Sequence, residues 1–104
     1  MNTNMGIYKI ENTRTKCVYI GSTKDFSKRE KQHFSMLEKN KHHSSKLQRS
    51  YNTSKDKSIF KFEIIEEVDD ACELKKREQY YIDLYDSFNT GYNCLRDTNN
   101  FKYN

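Results

Sequence analysis

The stretch that decides the fold is Met5-Gly6-Ile7-Tyr8-Lys9-Ile10, followed by Glu11-Asn12-Thr13-Arg14-Thr15-Lys16 and then by Cys17-Val18-Tyr19-Ile20-Gly21-Ser22. The first and third segments alternate bulky with small or polar residues, which predicts two half-buried strands. The polar segment between them contains Asn and Thr and no large apolar side chain, which is typical of a hairpin loop. We therefore predict an antiparallel hairpin here, on which the rest of the chain packs.

The register of this hairpin decides which side chains meet. If the strands pair about the polar segment, Tyr8 lies opposite Tyr19, and side chains directly opposed on one face of a sheet are near neighbours. We therefore expect the two phenols side by side, with Gly6 and Gly21 close to them. A glycine inside a strand is typical of close approach by another part of the protein or by a ligand.

Length and composition predict one domain that folds without cross-links. The 104 residues fit a single domain over the whole chain, with a core at about residues 5–95 and a polar C-terminal tail at 96–104. Hydrophobic residues make up 34% and charged residues 33%, which predicts a thin core under a strongly charged surface. The net charge of +4 suits a polyanionic partner, and solubility alone explains it equally well.

The three cysteines, Cys17, Cys72 and Cys94, are too scattered for a disulfide framework and lack the spacing of zinc ligands. Unpaired cysteines suit a reducing compartment. The sequence contains no apolar run long enough to cross a membrane and no signal-peptide pattern. We therefore expect a cytoplasmic protein that does not associate with membranes.

Three further segments carry apolar residues at helical spacing, and one segment alternates. The alternating segment predicts a third strand from Phe60 to Ile65, with Phe60, Phe62 and Ile64 facing the core. The predicted helices run from Asp25 or Ser27 to about Lys39, from Ser44 or Ser45 to about Tyr51, and from about Ala71, capped by Asp69 or Asp70, to Tyr85. The predicted fold class is α+β, a small central three-stranded antiparallel sheet with helices on both faces.

One acid interrupts the apolar face of the third predicted helix. That face consists of Ala71, Leu74, Glu78, Tyr81, Ile82 and Tyr85. Burying the carboxylate of Glu78 is costly unless it is paired, hydrogen-bonded or bound to a metal. Three interpretations stay open: a buried salt bridge, for example to Arg29; a position at the solvent-facing end of the face; or a ligand for a hard divalent cation.

Other polar residues have structural explanations beside functional ones. Arg29 lies at the edge of an apolar stripe, where it either forms a surface ion pair or grips a phosphate. His33 falls inside that stripe, where core histidines with satisfied hydrogen bonds are common. The pair His42-His43 falls in a loop, where exposure without a role is the simple explanation. Asn93 suits a turn.

The two tripeptides Gly6-Ile7-Tyr8 and Tyr19-Ile20-Gly21 resemble the signature of the GIY-YIG nuclease family. In that family an arginine on the first helix, a histidine before the second, a glutamate on a later helix and an asparagine near the end follow the signature. In this sequence the matching residues occur in that order and are Tyr8, Tyr19, Arg29, His42, Glu78 and Asn93, with His33 after Arg29. The resemblance covers residues 6–95 and is strongest to the nuclease domains of phage and intron homing endonucleases.

The resemblance implies a divalent-metal-dependent DNA endonuclease that hydrolyses phosphodiester bonds. Glu78 would hold a single Mg²⁺ or Mn²⁺, and Arg29 would neutralise a phosphate oxygen. Tyr8 or Tyr19 would orient or deprotonate the attacking water. Because an unperturbed phenol titrates near ~10, this role requires a nearby cation, hydrogen bonds or metal.

The histidines and the asparagine have supporting roles in this scheme. His42 would assist proton transfer, since imidazole titrates near neutrality. His43 is the alternative for that role, although the spacing to Leu47 favours His42. His33 is included among the catalytic candidates, and Asn93 would orient other groups rather than react.

DNA is the implied partner, bound weakly and with little sequence preference, because a modest basic charge makes few phosphate contacts. Candidate contacts to the DNA backbone are Lys24, Lys28, Lys31, Lys46 and Arg49. We expect a monomer in isolation and a transient dimer on DNA where both strands are cut. A non-catalytic nucleic-acid-binding module of the same fold is the alternative.

Overall fold

The computed structural model describes residues 4–94. The strands are β1 (Gly6–Asn12), β2 (Val18–Thr23) and β3 (Phe60–Glu67). The helices are α1 (Phe26–Glu38), α2 (Ser45–Thr53), α3 (Leu74–Tyr85) and α4 (Ser87–Thr90), with 3₁₀ turns at Lys57–Ile59 and Ala71–Glu73. The predicted tail at 96–104 lies outside the described residues. Within residues 4–94, none of the helices has the length and apolar character needed to cross a bilayer.

The three strands form one antiparallel sheet in the order β2-β1-β3. Its faces separate two cores. Tyr8, Ile10 and Tyr19 point to the face where side chains of α1 and α2 pack, and Ile7 and Ile20 point to the face where side chains of α3 pack. The predicted fold class is therefore confirmed, with helices on both faces of a three-stranded sheet.

The predicted register of the hairpin is wrong by two residues. Tyr8 lies opposite Gly21, and Tyr19 lies opposite Ile10. The strand β1 continues to Asn12, whose side-chain oxygen accepts hydrogen bonds from the backbone of residues 14 and 15 and so closes a later, tighter turn. A shift of two residues keeps every side chain on its face, so Tyr8 and Tyr19 still share one face as diagonal neighbours.

Ile64, which is predicted to face the core, lies opposite the buried Tyr8 on that face, but its side chain is 53% exposed because β3 is the edge strand of the sheet. A bulge shifts the pairing of β1 with β3, so that Ile7 pairs with Glu66 while Tyr8 pairs with Ile64. Ile65 is the extra residue, and it packs against the core on the α3 face. Such a bulge leaves one residue without a partner and locally alters the strand.

The predicted buried face of the third helix is correct at its centre and wrong at its ends. Leu74, Glu78 and Ile82 are buried, whereas Ala71 and Tyr85 are exposed. Ala71 belongs to the 3₁₀ turn that precedes α3, so it does not continue the helical face. The ring of Tyr85 instead lies near the Lys9 ammonium group at the rim of the sheet.

Side-chain caps satisfy the first backbone N–H groups of α1, of α2 and of the 3₁₀ turn that precedes α3, whereas α3 and α4 begin without a side-chain cap. Asp25, Ser44 and Asp70 accept hydrogen bonds from the backbone nitrogens of Lys28, Leu47 and Cys72. In each case one of the two predicted cap residues is confirmed. The helix α2 continues to Thr53, two residues beyond the predicted end.

Candidate active site

The phenol of Tyr8 is the centre of a buried polar cluster on the face of the sheet covered by α1. Tyr8 is 1% exposed and His33 is fully buried. The Tyr8 hydroxyl oxygen lies 2.5 Å from His33 Nε2. His33 comes to this position because it lies on the buried face of α1, together with Phe26 and Leu37.

A chain of hydrogen bonds continues from His33 to the start of α2. His33 Nδ1 lies 2.7 Å from His42 Nε2, and His42 Nδ1 accepts a hydrogen bond from the backbone N–H of Ser44 at 2.9 Å. The Ser44 N–H can only donate, so His42 carries its proton on Nε2 and donates it to His33 Nδ1. His33 then carries its own proton on Nε2 and donates it to the Tyr8 oxygen. The chain therefore has one direction, from Ser44 to Tyr8.

Both histidines of this chain are neutral at neutral pH. Burial, followed by the charges of His42, Arg29 and His43, lowers the pKa of His33 to about 2. Burial and the charges of His43 and Arg29 lower the pKa of His42 to about 4, against a hydrogen bond to Ser44 that raises it. Neutral imidazole has one donor and one acceptor nitrogen, which is what the directional chain requires.

The second tyrosine has its own histidine. The Tyr19 hydroxyl lies 2.7 Å from His43 Nε2, and the His43 ring stacks on the His42 ring at 4.4 Å between centroids. His42 is buried and His43 is exposed. The structure therefore brings both histidines of the pair into the cluster. Both rings lie edge-on to the Tyr19 ring, and His42 is also connected to Tyr8 through His33. The spacing to Leu47 favours His42, with His43 as the alternative, whereas in the structure each has its own partner, His33 for His42 and Tyr19 for His43.

Arg29 lies on the border between the buried and exposed sides of α1, one turn before His33. Its Nη1 group donates a hydrogen bond to Gln32 Oε1 at 3.1 Å. Its Nε atom is buried, and no hydrogen-bond partner for it occurs within residues 4–94. The guanidinium is near enough to lower the pKa of both His33 and His42. An unsatisfied N–H donor beside the tyrosine cluster is suited to an anionic oxygen.

Glu78 on α3 approaches β2, the strand that carries Tyr19, from the other face of the sheet. Glu78 is 7% exposed, so the solvent-facing interpretation is wrong, and the Ser22 hydroxyl donates a hydrogen bond to Glu78 Oε1 at 2.7 Å. The residue before Ser22 is Gly21, over which the Tyr8 phenol lies. Tyr8 and Glu78 therefore contact consecutive residues of β2 from opposite faces of the sheet.

Asn93 lies at the outer edge of β2, where it replaces a neighbouring strand. Its side-chain oxygen accepts from the Ile20 N–H at 2.7 Å, and its side-chain nitrogen donates to the Ile20 carbonyl at 2.9 Å. Its oxygen also accepts from the Ser87 hydroxyl at 2.7 Å. These bonds give Asn93 a structural function on the strand that carries Gly21 and Ser22.

The sequence patterns do not single out three side chains that join the site, which are Ser22, Gln32 and Ser44. Ser44 is predicted only as a helix cap. In the structure it caps α2, and its backbone N–H also donates a hydrogen bond to His42. Ser22 follows the Tyr19-Ile20-Gly21 tripeptide directly, which is the one local signal for it. Lys46, predicted to face DNA, instead donates hydrogen bonds to the Phe88 and Asn93 carbonyls.

A metal held by protein groups alone does not fit this site. Within residues 4–94, no group of three His, Cys, Asp or Glu side chains is arranged to hold a metal ion. Mg²⁺, in contrast, is commonly bound through one or two carboxylates, with water and substrate phosphate completing its shell. The buried carboxylate of Glu78, oriented by Ser22, fits a cation of that kind.

Comparison with known proteins gives consistent matches. The GIY-YIG catalytic domain family matches residues 4–93. Intron-associated endonuclease 1 of Enterobacteria phage T4 is 47% identical over 94 residues, which is 89% of this chain and 38% of that protein. The chain therefore spans well under half of the length of this relative.

Two solved structures match the fold. The catalytic domain of homing endonuclease I-TevI superimposes with a TM-score of 0.82 at 43% identity, over 86% of this chain and 97% of that one. A mutant of the catalytic domain of intron endonuclease I-TevI, with a glutamate replaced by alanine, gives a TM-score of 0.79 at 44% identity, over 89% and 93%. The family match covers most of the chain, and the chain belongs to the GIY-YIG family.

Proposed function

We propose that this chain is the catalytic domain of a DNA endonuclease that hydrolyses phosphodiester bonds with the help of a divalent cation. The family match and the relatives, which are named as endonucleases, support a nuclease. The observation that carries the proposal is the pair of contacts on β2: the Tyr8 phenol lies over Gly21 and the Glu78 carboxylate binds Ser22.

Tyr8 is the residue that acts on the attacking water in this proposal. The N–H of His33 that points to its oxygen stabilises the phenolate over the phenol, because a hydrogen bond donated to a charged form favours that form. The neutral chain behind His33 keeps that donor in place. The alternative, Tyr19, has its hydroxyl 2.7 Å from Nε2 of His43, whose side chain is exposed, whereas the donor to Tyr8 is fully buried.

Arg29 neutralises a non-bridging oxygen of the phosphate in this proposal. The guanidinium presents several N–H donors in a fixed plane, which matches phosphate geometry. Its buried Nε supports this role, because an unsatisfied N–H in the protein costs free energy that an anionic ligand recovers. In this proposal His33 and His42 orient the Tyr8 hydroxyl through their hydrogen-bond chain. Asn93 supports β2 through its hydrogen bonds to the Ile20 backbone.

Glu78 would hold the divalent cation, Mg²⁺ or Mn²⁺, with Ser22 fixing the orientation of its carboxylate. When bound, the cation supplies positive charge at the phosphate and at the leaving oxygen. The family is in general dependent on divalent metals, and the choice between the two ions is part of the proposal.

Incubation of supercoiled plasmid with the protein and Mg²⁺ tests the function. The expected result is nicking by the wild type that is abolished in excess EDTA and by Glu78→Gln. Asp83→Asn provides a matched control, because Asp83 is an exposed acid on the same helix. Nicking that survives Glu78→Gln removes Glu78 from the mechanism. Binding of DNA without nicking at any metal concentration favours the non-catalytic module.

A further inference from the structure

The helix α1 separates its charges between two surface grooves. One groove, of about 550 Å³, is lined by Lys28, Arg29, Lys31, Gln32, Ser35 and Met36, which we call the basic groove. The other, of about 440 Å³, is lined by Asn4, Phe26, Ser27, Glu30, Phe62, Ile64 and Glu67, which we call the acidic groove. Three cations therefore line one side of the helix, while Glu30, one of its two acids, lies on the other.

The basic groove is connected to the tyrosine cluster through Arg29. Arg29 lines the groove, and its charge also acts on His33 and His42. Lys28 and Lys31 are exposed, and Arg29 is half-buried. An anionic chain in the groove would therefore lie against two exposed lysines as well as Arg29.

The chemical character of the lining suits a nucleotide chain. Lysine side chains combine an apolar stem with a charged end, so that they cover sugars or bases and still reach phosphates. The half-buried Met36 adds apolar surface, and the Gln32 amide and Ser35 hydroxyl add hydrogen-bonding groups. The volume falls within the ~300–1,000 Å³ that is usual for ligand sites.

We propose that the basic groove binds the DNA strand next to the phosphate that is cleaved, with Lys28 and Lys31 on the backbone phosphates. This inference rests on the proposed nuclease function, and it adds to it a path for the substrate. We place the DNA strand along α1 rather than along α2, because Lys46 on α2 already donates hydrogen bonds to backbone carbonyls. The acidic groove repels the same strand.

The test measures DNA binding without turnover. A short fluorescein-labelled duplex of mixed sequence is titrated with protein in EDTA, by fluorescence anisotropy, from low to physiological salt. Lys28→Gln with Lys31→Gln is expected to weaken binding about tenfold at low salt and to reduce the salt slope by about two, since each lost phosphate contact removes about one. Far-UV circular dichroism and thermal melting check that the variant is folded.

Two controls make the result specific. Lys55→Gln removes one charge from an exposed position in the loop after α2 and is expected to leave the affinity within about twofold. Glu30→Gln, in the acidic groove, is expected to leave the affinity unchanged or slightly higher. Equal losses per charge in the groove and at Lys55, or no loss in the groove, overturn the proposal.

The binding assay separates this inference from the proposed function. Because EDTA prevents cleavage, binding reports on the groove whether or not the wild type is a nuclease. If the groove variant loses binding and the wild type is inactive, the proposed DNA binding in the basic groove stands and the proposed nuclease function is rejected. If the wild type is active and the groove variant binds DNA normally, the proposed nuclease function stands and the proposed DNA binding in the basic groove is rejected.

Discussion

Tyr8 and Gly21 lie directly opposite each other on β1 and β2, and a methyl group on Gly21 would come within 2.3 Å of the Tyr8 hydroxyl oxygen. Gly21 does not have a positive φ, so its backbone accepts any residue. The glycine is therefore required by the phenol that lies over it. This contact gives the Tyr19-Ile20-Gly21 half of the signature a physical reason.

Gly21→Ala is expected to displace Tyr8 and to lower the nicking rate by about 100-fold, because small displacements of a positioned group have effects of that size. Overpacking is expected to lower the free energy of unfolding by about 1–3 kcal/mol. Urea denaturation and the plasmid assay measure both effects.

A double-mutant cycle with Tyr8→Leu gives the control for this steric account. Truncating the phenol removes the ring atoms that the new methyl group would meet. Gly21→Ala should therefore cost much less free energy of unfolding in the Tyr8→Leu background than in the wild type. An equal cost in the two backgrounds would contradict the contact as the cause.

The directed hydrogen-bond chain predicts a difference between two substitutions of His33. His33→Leu removes the donor to Tyr8 and is expected to lower the single-turnover rate by about 1,000-fold. His33→Gln keeps an N–H near the position of Nε2 and is expected to lose only about tenfold. Cleavage rates measured against pH, with folding checked for both proteins, test this. Losses of equal size would contradict the donor role.

The elements of this fold could be predicted because their signals are local. The caps Asp25, Ser44 and Asp70 act on backbone groups two or three residues away, and the alternation of β1 appears within one segment of sequence. The place of Glu78 on the apolar face of α3, between Leu74 and Ile82, could also be predicted from helical spacing, although spacing left its burial open.

The partners of the site residues could not be predicted, because they come from other elements. The contact of Glu78 with Ser22 depends on how α3 lies over β2, and the two-residue shift of the hairpin depends on the turn that Asn12 closes. Ile64 is exposed although it lies opposite the buried Tyr8, because β3 is the edge strand of the sheet and little covers its face there. Periodicity contains none of this information, since it reports which face a residue lies on and not what covers that face.

Ser22→Ala tests the orientation of the Glu78 carboxylate. Loss of the hydroxyl is expected to raise the Mg²⁺ concentration for half-maximal nicking by about tenfold, because groups that hold a metal ligand have effects of this size. The rate at saturating Mg²⁺ should fall much less. Ser58→Ala, an exposed serine with its hydroxyl on Asp56, is the matched control and should change neither quantity. An unchanged metal requirement in Ser22→Ala would contradict the prediction.

The buried histidines predict a loss of stability in mild acid. The pKa is about 2 for His33 and about 4 for His42 in the folded protein, whereas both titrate near 6.5 when unfolded. Below pH 6.5 the unfolded chain therefore binds more protons, and stability falls by up to about 1.4 kcal/mol per pH unit for each histidine. The stability is complete above pH 6.5 and is lost progressively as the pH falls.

Urea denaturation at neutral pH and near pH ~5 measures this dependence. The double variant His33→Gln with His42→Asn should show a smaller loss over that interval, because the groups that take up protons on unfolding are gone. His43→Gln, which changes the exposed member of the cluster, should keep most of the loss. An acid sensitivity that is the same in wild type and double variant would assign it to other groups.

Asn93 is expected to contribute to stability more than to chemistry. Asn93→Ala leaves the Ile20 N–H and carbonyl without their partners at the edge of β2 and should lower the free energy of unfolding by about 3 kcal/mol. Asn89→Ala, at an exposed position of α4, should change it by less than about 0.5 kcal/mol. Amide hydrogen exchange gives a local readout, since the Ile20 N–H should lose protection in the Asn93 variant. Retained protection there, with lost nicking, would instead assign Asn93 a direct part in the reaction.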